Sequence, residues 1–321
     1  MEEKALKGKL ILITGGAGFI GSHIVEKLAD DNMIIIYDNF CRNALQYTNL
    51  ARHKNVRIVE ADVLDQARLK AEMRNVDICI HAAAIAGIYS VVKNSTLTMK
   101  VNFIGTYNVL EAAVKNNIKR LIYFSTSEVY GPFVYKGKET DATTLGPVGQ
   151  KRWVYSISKL ASEHFAYTYA EDYDIEIVSV RPFNIYGPRQ IGEGAIQQMI
   201  KRALVNEDLI IYNDGSQIRS WCYISDFISA FYKILYLDEA KNQLFNIGNP
   251  QATITVLGLA QKIIEMTAST SKIVFKEHPG PEVEMRVPDI NKAIKLLDFR
   301  PKVGLQEGLK LTIDWYKDYM R

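Results

Sequence analysis

The chain has 321 residues, 48% hydrophobic and 23% charged, which is enough apolar material for a large core and excludes a disordered protein. Its formal net charge of +3 comes from interspersed Lys, Arg, Asp and Glu, so no concentrated basic face marks a nucleic-acid binder. Three cysteines far apart in sequence (Cys41, Cys79 and Cys222) and five histidines without ligand spacing argue against a disulfide framework or a metal site and for a reducing, cytoplasmic setting.

The start, Met1-Glu2-Glu3-Lys4, lacks the character of a signal peptide. The longest uncharged run, Ile78 to Val92, is too short to span a bilayer. Lys9-Leu10-Ile11-Leu12-Ile13-Thr14 reads as a buried parallel strand ending in Gly15-Gly16-Ala17-Gly18-Phe19-Ile20-Gly21, and Ser22 to Leu28 as a helix. Without side chains, these glycines let the backbone approach a pyrophosphate at a helix N-terminus. A second strand, Met33 to Tyr37, closes on Asp38, where a carboxylate accepts bonds from both adenosine ribose hydroxyls and repels a 2′-phosphate, favouring NAD over NADP.

A third strand, Val56 to Glu60, leads to Ala61-Asp62-Val63, where a carboxylate reaches the adenine amino group. A fourth, Val76 to Ile80, runs into His81 and the small residues Ala82, Ala83 and Ala84, past which a cofactor can lie closely. His81, closing a strand, reads as packed rather than catalytic. Met99 to Asn116 reads as a helix carrying Asn102 and Gly105. A fifth strand, Arg120 to Phe124, ends at Ser125-Thr126-Ser127-Glu128-Val129-Tyr130-Gly131, where ligands of open parallel sheets bind. Strands alternating with helices imply a doubly wound parallel α/β (Rossmann) sheet. Pro132 to Trp153 shows no regular period and reads as a long loop over the site. The next helix carries Tyr155 and Lys159 at i and i+4, on one face. A nearby cation stabilises a phenolate, so this pair suits proton removal from a sugar hydroxyl coupled to hydride transfer.

These motifs resemble the extended short-chain dehydrogenase/reductases, specifically their nucleotide-sugar epimerases, dehydratases and decarboxylases, over nearly the whole chain. Gly15 to His23, Val101-Asn102-Phe103-Ile104-Gly105-Thr106 and Tyr155-x-x-x-Lys159 carry the resemblance. It implies bound NAD, with contacts from Gly15, Gly18, Phe19, Ile20 and Gly21 in the first turn and from Asp38, Asn39, Asp62 and Val63 around the adenosine. Ala82, Ala83, Ala84, Asn102, Tyr155, Lys159 and Pro182 complete the cofactor set. Arg181-Pro182-Phe183-Asn184-Ile185-Tyr186-Gly187-Pro188-Arg189 looks like the segment entering the substrate lobe, with Asn184 toward the nucleotide diphosphate and Arg189 a further substrate-binding residue. Leu209 to Arg219 is similar to the strand and turn that place the base, through Tyr212, and present Arg219 to phosphate or sugar. Met285-Arg286-Val287-Pro288-Asp289 matches an element whose Arg binds the diphosphate.

The reaction shared by that family is oxidation of the sugar at C4, with Thr126 hydrogen-bonding the 4-hydroxyl. Many 4,6-dehydratases have Asp-Glu after this Thr; here Ser127, a much weaker acid, precedes Glu128. The Thr-Ser-Glu triplet, Gly146-Pro147-Val148, and Gln217-Ile218-Arg219-Ser220 look like UDP-glucuronate decarboxylases. GDP-mannose 4,6-dehydratases share the triplet, so a GDP-sugar, dehydration, 4-epimerisation and simple 4-oxidation stand as alternatives. The loop Ala84 to Lys93 departs from the decarboxylase pattern. A non-catalytic NAD sensor is free to lose Tyr155, Lys159 or Glu128, and all three are present.

The expected organisation is a cofactor domain of residues 1–182 and 222–252 and a smaller, discontinuous α/β substrate lobe of 183–221 and 253–321. By resemblance, helices 100–116 and 154–172 pair with their copies in a homodimer. Leu160, Phe165, Tyr167 and Tyr169 on the second are apolar enough for that, or for core packing.

Overall fold

A computed structural model describes residues 6–278 and 280–320. The N-terminal tetrapeptide read above lies outside the described residues. The first half runs β1 (Leu10–Thr14), α1 (Phe19–Leu28), β2 (Met33–Asp38), β3 (Val56–Glu60), α2 (Gln66–Glu72), β4 (Ile78–His81), α3 (Ile88–Lys93) and α4 (Ser95–Met99). A π turn at Lys100–Ile104 then leads into α5 (Gly105–Lys115) and β5 (Arg120–Phe124). Next come β6 (Phe133–Gly137), α6 (Val154–Asp172), β7 (Glu176–Pro182), β8 (Ile185–Tyr186), α7 (Ala195–Leu204), β9 (Leu209–Tyr212), β10 (Ile218–Ser220) and β11 (Cys222–Tyr223). The chain closes with α8 (Ile224–Ile234), β12 (Leu244–Ile247), β13 (Thr253–Thr255), α9 (Val256–Thr267), β14 (Ile273–Lys276), β15 (Met285–Pro288), α10 (Asn291–Leu297) and α11 (Leu305–Tyr319).

Seven strands form one wholly parallel sheet in the order β3-β2-β1-β4-β5-β7-β12. Burial on both faces explains why these strands read as continuous apolar runs. Alternate residues of each strand enter different cores: Ile11, Ile13, Ile34, Ile36 and Ile80 pack with α1 and α8, whereas Leu12, Ile35, Cys79 and Leu121 pack with α2, α5 and α6. Strand β12 returns to this sheet, pairing with β7 from Leu244↔Ser179 onward.

A second sheet, in the order β13-β10-β15-β6, builds the smaller lobe. Residues 133–137, read as part of a long loop, instead form the edge strand of this sheet, pairing with β15 from Met285↔Phe133 onward. The alternation Phe133-Val134-Tyr135 is too short for a sequence pattern to show, and its partner lies about 150 residues away in the chain. The helix expected from Met99 is interrupted at its start by the π turn. There the Asn102 carbonyl accepts from the Thr106 and Ser162 hydroxyls.

Candidate active site

The C-terminal ends of β1, β2, β4, β5 and β7 converge along one edge of the sheet, and most of the expected site residues lie there. The glycine turn is tightly wound: Gly15 N donates to the Tyr37 carbonyl, and Gly18 N to the Gly15 carbonyl. Gly15 has φ +73, and a Cβ on it would lie 2.6 Å from Ala83 N; one on Gly21 would lie 2.2 Å from the Gly15 carbonyl oxygen. No larger residue fits either position; α1 begins at Phe19, so Gly21 lies in its first turn, packed against the Gly15 carbonyl. Asp38 closes β2, its two carboxylate oxygens accepting from Ala17 N at 2.9 Å and Phe40 N at 2.8 Å. Burial raises its pKa against these backbone bonds. Asn39 donates to Asp62, which also holds Leu64 N, so the adenosine-side residues form one connected group.

Past β4, Ala82 and Ala83 are tied to Thr14 through their amides. His81 is fully buried between the Thr14 and Thr106 hydroxyls, at 2.7 and 2.9 Å, and burial lowers its pKa to about 3; it is packed and neutral. Asn102, expected on the cofactor, is hydrogen-bonded within the chain. Its amide oxygen accepts from Ile85 N, and its NH2 donates to the Ile85 carbonyl and the Ser158 hydroxyl. Its fully buried position leaves it clamping the loop after β4 to the helix of Tyr155.

Helix α6 is positioned from two sides. The Asn102 NH2 donates to the Ser158 hydroxyl at 3.1 Å, and the Tyr123 hydroxyl of β5 donates to the Lys159 carbonyl at 3.0 Å. The Thr126 hydroxyl accepts from Glu128 N at 3.2 Å, and the Thr126 side chain acts against the rise in the Tyr155 pKa. The electrostatics differ from the expectation of an acidified phenol. Burial pushes Tyr155 up to about 12, Glu128 adds to this, and Arg42 and Arg152 act in the opposite direction. Lys159 is 1% exposed, its Nζ lies 4.6 Å from the Tyr123 ring centroid, and burial lowers it to about 7. Among the described residues that ammonium has no hydrogen-bond partner.

Glu128 sits in a short 3-10 turn after β5. One carboxylate oxygen pairs with Arg152 at 2.7 Å and the other with Arg286. Burial opposes its ionisation, but the two guanidinium groups prevail and hold it at about 2. Arg286, expected at the diphosphate, is thus 2% exposed with one nitrogen on Glu128 and another on the Gly131 carbonyl. Arg219 donates to the Ile218, Val283 and Glu284 carbonyls, and burial, reinforced by Arg286, lowers it to about 10. A cation so crowded gains from an anion. Ser127 is buried beside Glu128.

Two other expectations are corrected. Arg189, expected among the substrate-side residues, is buried and pairs with Glu26 at 2.6 Å and with His23, both on α1. Asn184 turns its NH2 to the Ser220 carbonyl, holding β8 beside β10. Tyr212 is half exposed and meets His278 edge to face, 5.2 Å between centroids. Pro182 ends β7 against Ile247. Arg152 was missed as a site residue; its place in the turn running into Tyr155 was the available signal. Arg42, whose charge reaches Tyr155, follows Asp38 by four residues.

The glycine cradle, the ribose-side carboxylate and the orphaned Lys159 ammonium fit a nicotinamide dinucleotide. Among the described residues no cluster of three or more His, Cys, Asp or Glu offers a metal site, and no helix is long and apolar enough to cross a membrane. Residues 11–248 match the model of the NAD dependent epimerase/dehydratase family. The chain is 36% identical to a UDP-N-acetyl-alpha-D-glucosaminuronate decarboxylase of Bacillus cytotoxicus, covering 97% of this chain and 98% of that protein. It is 35% identical to UDP-glucuronic acid decarboxylase 1 of Danio rerio, over 96% and 72%. The structure of a UDP-glucuronic acid 4-epimerase from Bacillus cereus, in complex with UDP-glucuronic acid and NAD, superposes with a TM-score of 0.88 at 28% identity, covering 97% and 99%. The chain therefore belongs to the NAD-dependent epimerase/dehydratase family, and it is an NAD-dependent enzyme that modifies nucleotide sugars.

Proposed function

We propose that this enzyme decarboxylates a UDP-linked hexuronate. The carrying observation is the charge arrangement at the end of β5: Glu128 is held at about 2 between Arg152 and Arg286, with Arg219 beside them. A carboxylate so strongly ionised is a poor acceptor for a C5 proton, which dehydration requires. Ser127 is likewise a poor donor to a departing 6-hydroxyl. Decarboxylation needs neither, and three guanidinium groups against one carboxylate leave a positive surplus suited to the C6 carboxylate.

In this reading Tyr155 takes the 4-hydroxyl proton, with Thr126 holding the same hydroxyl. NAD, when bound, accepts the hydride from C4 and places a positive charge near the phenol that the protein alone leaves at about 12. The 4-ketone makes the sugar a β-keto acid: the C5–C6 bond breaks, carbon dioxide leaves, and the electron pair becomes an enolate at C4. A proton then returns to C5. Relatives that act on UDP-linked uronates support the choice of sugar class.

Two further points belong to this proposal. Exposed apolar side chains on α4, the π turn, α5 and α6, namely Leu97, Ile104, Tyr107 and Tyr167, support pairing of these helices in a homodimer. Free Cys41, Cys79 and Cys222 fit a reducing compartment.

The test is incubation with UDP-glucuronate, UDP-N-acetylglucosaminuronate, UDP-glucose and GDP-mannose, followed by product masses. Release of carbon dioxide from a uronate is expected. Loss of water from a neutral hexose, or a mass unchanged with altered retention, overturns the reading.

A further inference from the structure

Arg42 joins three segments that are distant in sequence. Its Nη2 donates to the Ala86 carbonyl at 2.7 Å and lies 3.7 Å from a carboxylate oxygen of Glu193. Glu193 in turn accepts from Tyr89 N at 2.7 Å, Ser90 N at 3.0 Å and the Ser90 hydroxyl. Two glycines make room for this. A Cβ on Gly87, at φ +98, would lie 2.7 Å from the Glu193 carboxylate, and one on Gly192, at φ +101, would lie 2.9 Å from the Arg42 guanidinium carbon. The close approach is therefore accommodated on both sides.

The placement gives the contact its meaning. Arg42 belongs to the loop after β2, beyond Asp38, and Ala86 to Ser90 belong to the segment after β4, beyond Ala82–Ala84. β2 and β4 are the two neighbours of β1, and the glycine turn ends β1. A bond between their loops thus crosses the groove in which a pyrophosphate lies at the N-terminus of α1. Glu193, just before α7, anchors the same bond to the substrate lobe.

We propose that Arg42 and Glu193 form a strap across the dinucleotide groove, retaining the cofactor between hydride transfers and, as positioning residues, fixing the 86–90 segment and the field at Tyr155. The cofactor leaves when Arg42 releases Ala86 and Glu193. This rests on NAD binding and not on which sugar reaction follows.

The experiment loads the enzyme with NADH, without nucleotide sugar, and mixes it with excess NAD. The fall in nicotinamide fluorescence gives the release rate. Arg42→Met and Glu193→Gln are each expected to speed release about tenfold or more. The double variant should release no faster than the faster single one, because both changes open the same contact. Arg42→Lys, keeping the charge but losing the planar fork, should fall between. Release within about twofold of wild type in both single variants, or effects that multiply in the double, overturns the strap. A second readout isolates the field: with nucleotide sugar present, Arg42→Met should move the rising limb of the pH profile for cofactor reduction upward, and Arg42→Lys should restore it. A limb that stays in place in Arg42→Met overturns the positioning role.

Discussion

Glu128 and Arg152 face each other across a 2.7 Å ion pair, while Arg286, 158 residues further along the chain, takes the other carboxylate oxygen. The end of β5 is therefore a charge cluster with a positive surplus. Its carboxylate is an anion at neutral pH.

Glu128→Gln tests that cluster through stability. The folded carboxyl sits at about 2, below the ordinary glutamate value of 4.5. Its contribution is present above the unfolded value and is lost as pH falls through the folded one. At neutral pH the variant should be less stable by about 2–3 kcal/mol, since two buried guanidinium groups lose their partner. Chemical unfolding at pH 7 and near pH 3 should show the gap narrowing in acid.

Lys159→Met should separate stability from activity. Burial lowers the folded ammonium to about 7 from 10.5, so it costs stability fully below pH 7, and the cost fades as pH rises toward the unfolded value. The variant is expected to gain about 3 kcal/mol at pH 6 and much less near pH 10. Cofactor reduction should nonetheless fall by about 100-fold or more, as the cation near the nicotinamide ribose is gone. Unfolding curves and turnover on the same samples check both.

Tyr155→Phe removes the hydroxyl proposed to accept the proton and leaves the helix in place. Reduction of bound NAD by the nucleotide sugar should drop by about 10²–10⁴-fold, followed in nicotinamide absorbance. The change in stability should stay within about 1 kcal/mol, because a single hydroxyl is removed and the ring keeps its packing.

Gly15→Ala and Gly18→Ala distinguish fold from cofactor. At Gly15 a Cβ meets Ala83 N at 2.6 Å in a left-handed conformation, so the variant should lose about 2 kcal/mol or more together with NAD binding. At Gly18 the nearest atom is the Gly15 carbonyl oxygen at 3.2 Å. That variant should melt near wild type and bind NAD more weakly, the methyl keeping the pyrophosphate from the turn. Thermal melts and NAD titrations decide.

The parallel strands were legible because burial on both faces leaves each one an uninterrupted apolar run between turn residues, as in Ile78–His81 and Arg120–Phe124. Strand β6 was not, since five residues with three exposed carry no pattern without their partner Met285–Pro288. The single sequence likewise placed Arg286 on a diphosphate and Arg189 among the substrate-side residues, because a guanidinium in a motif carries no record of which carboxylate stands nearest. Glu128 takes the first and Glu26 the second.

What the sequence determined by itself was local: the glycine turn behind a strand, the acid after the next strand, and a Tyr and Lys four residues apart on one helix face. These follow from backbone geometry within a few residues, which the order of amino acids dictates directly. The charge states were settled only by tertiary structure: a phenol raised rather than lowered, an ammonium near neutrality, a carboxylate locked between arginines, and Arg42 bridged to Glu193. Desolvation and Coulomb interaction depend on what the folded chain packs around a group, and those neighbours arrive from tens to hundreds of residues away.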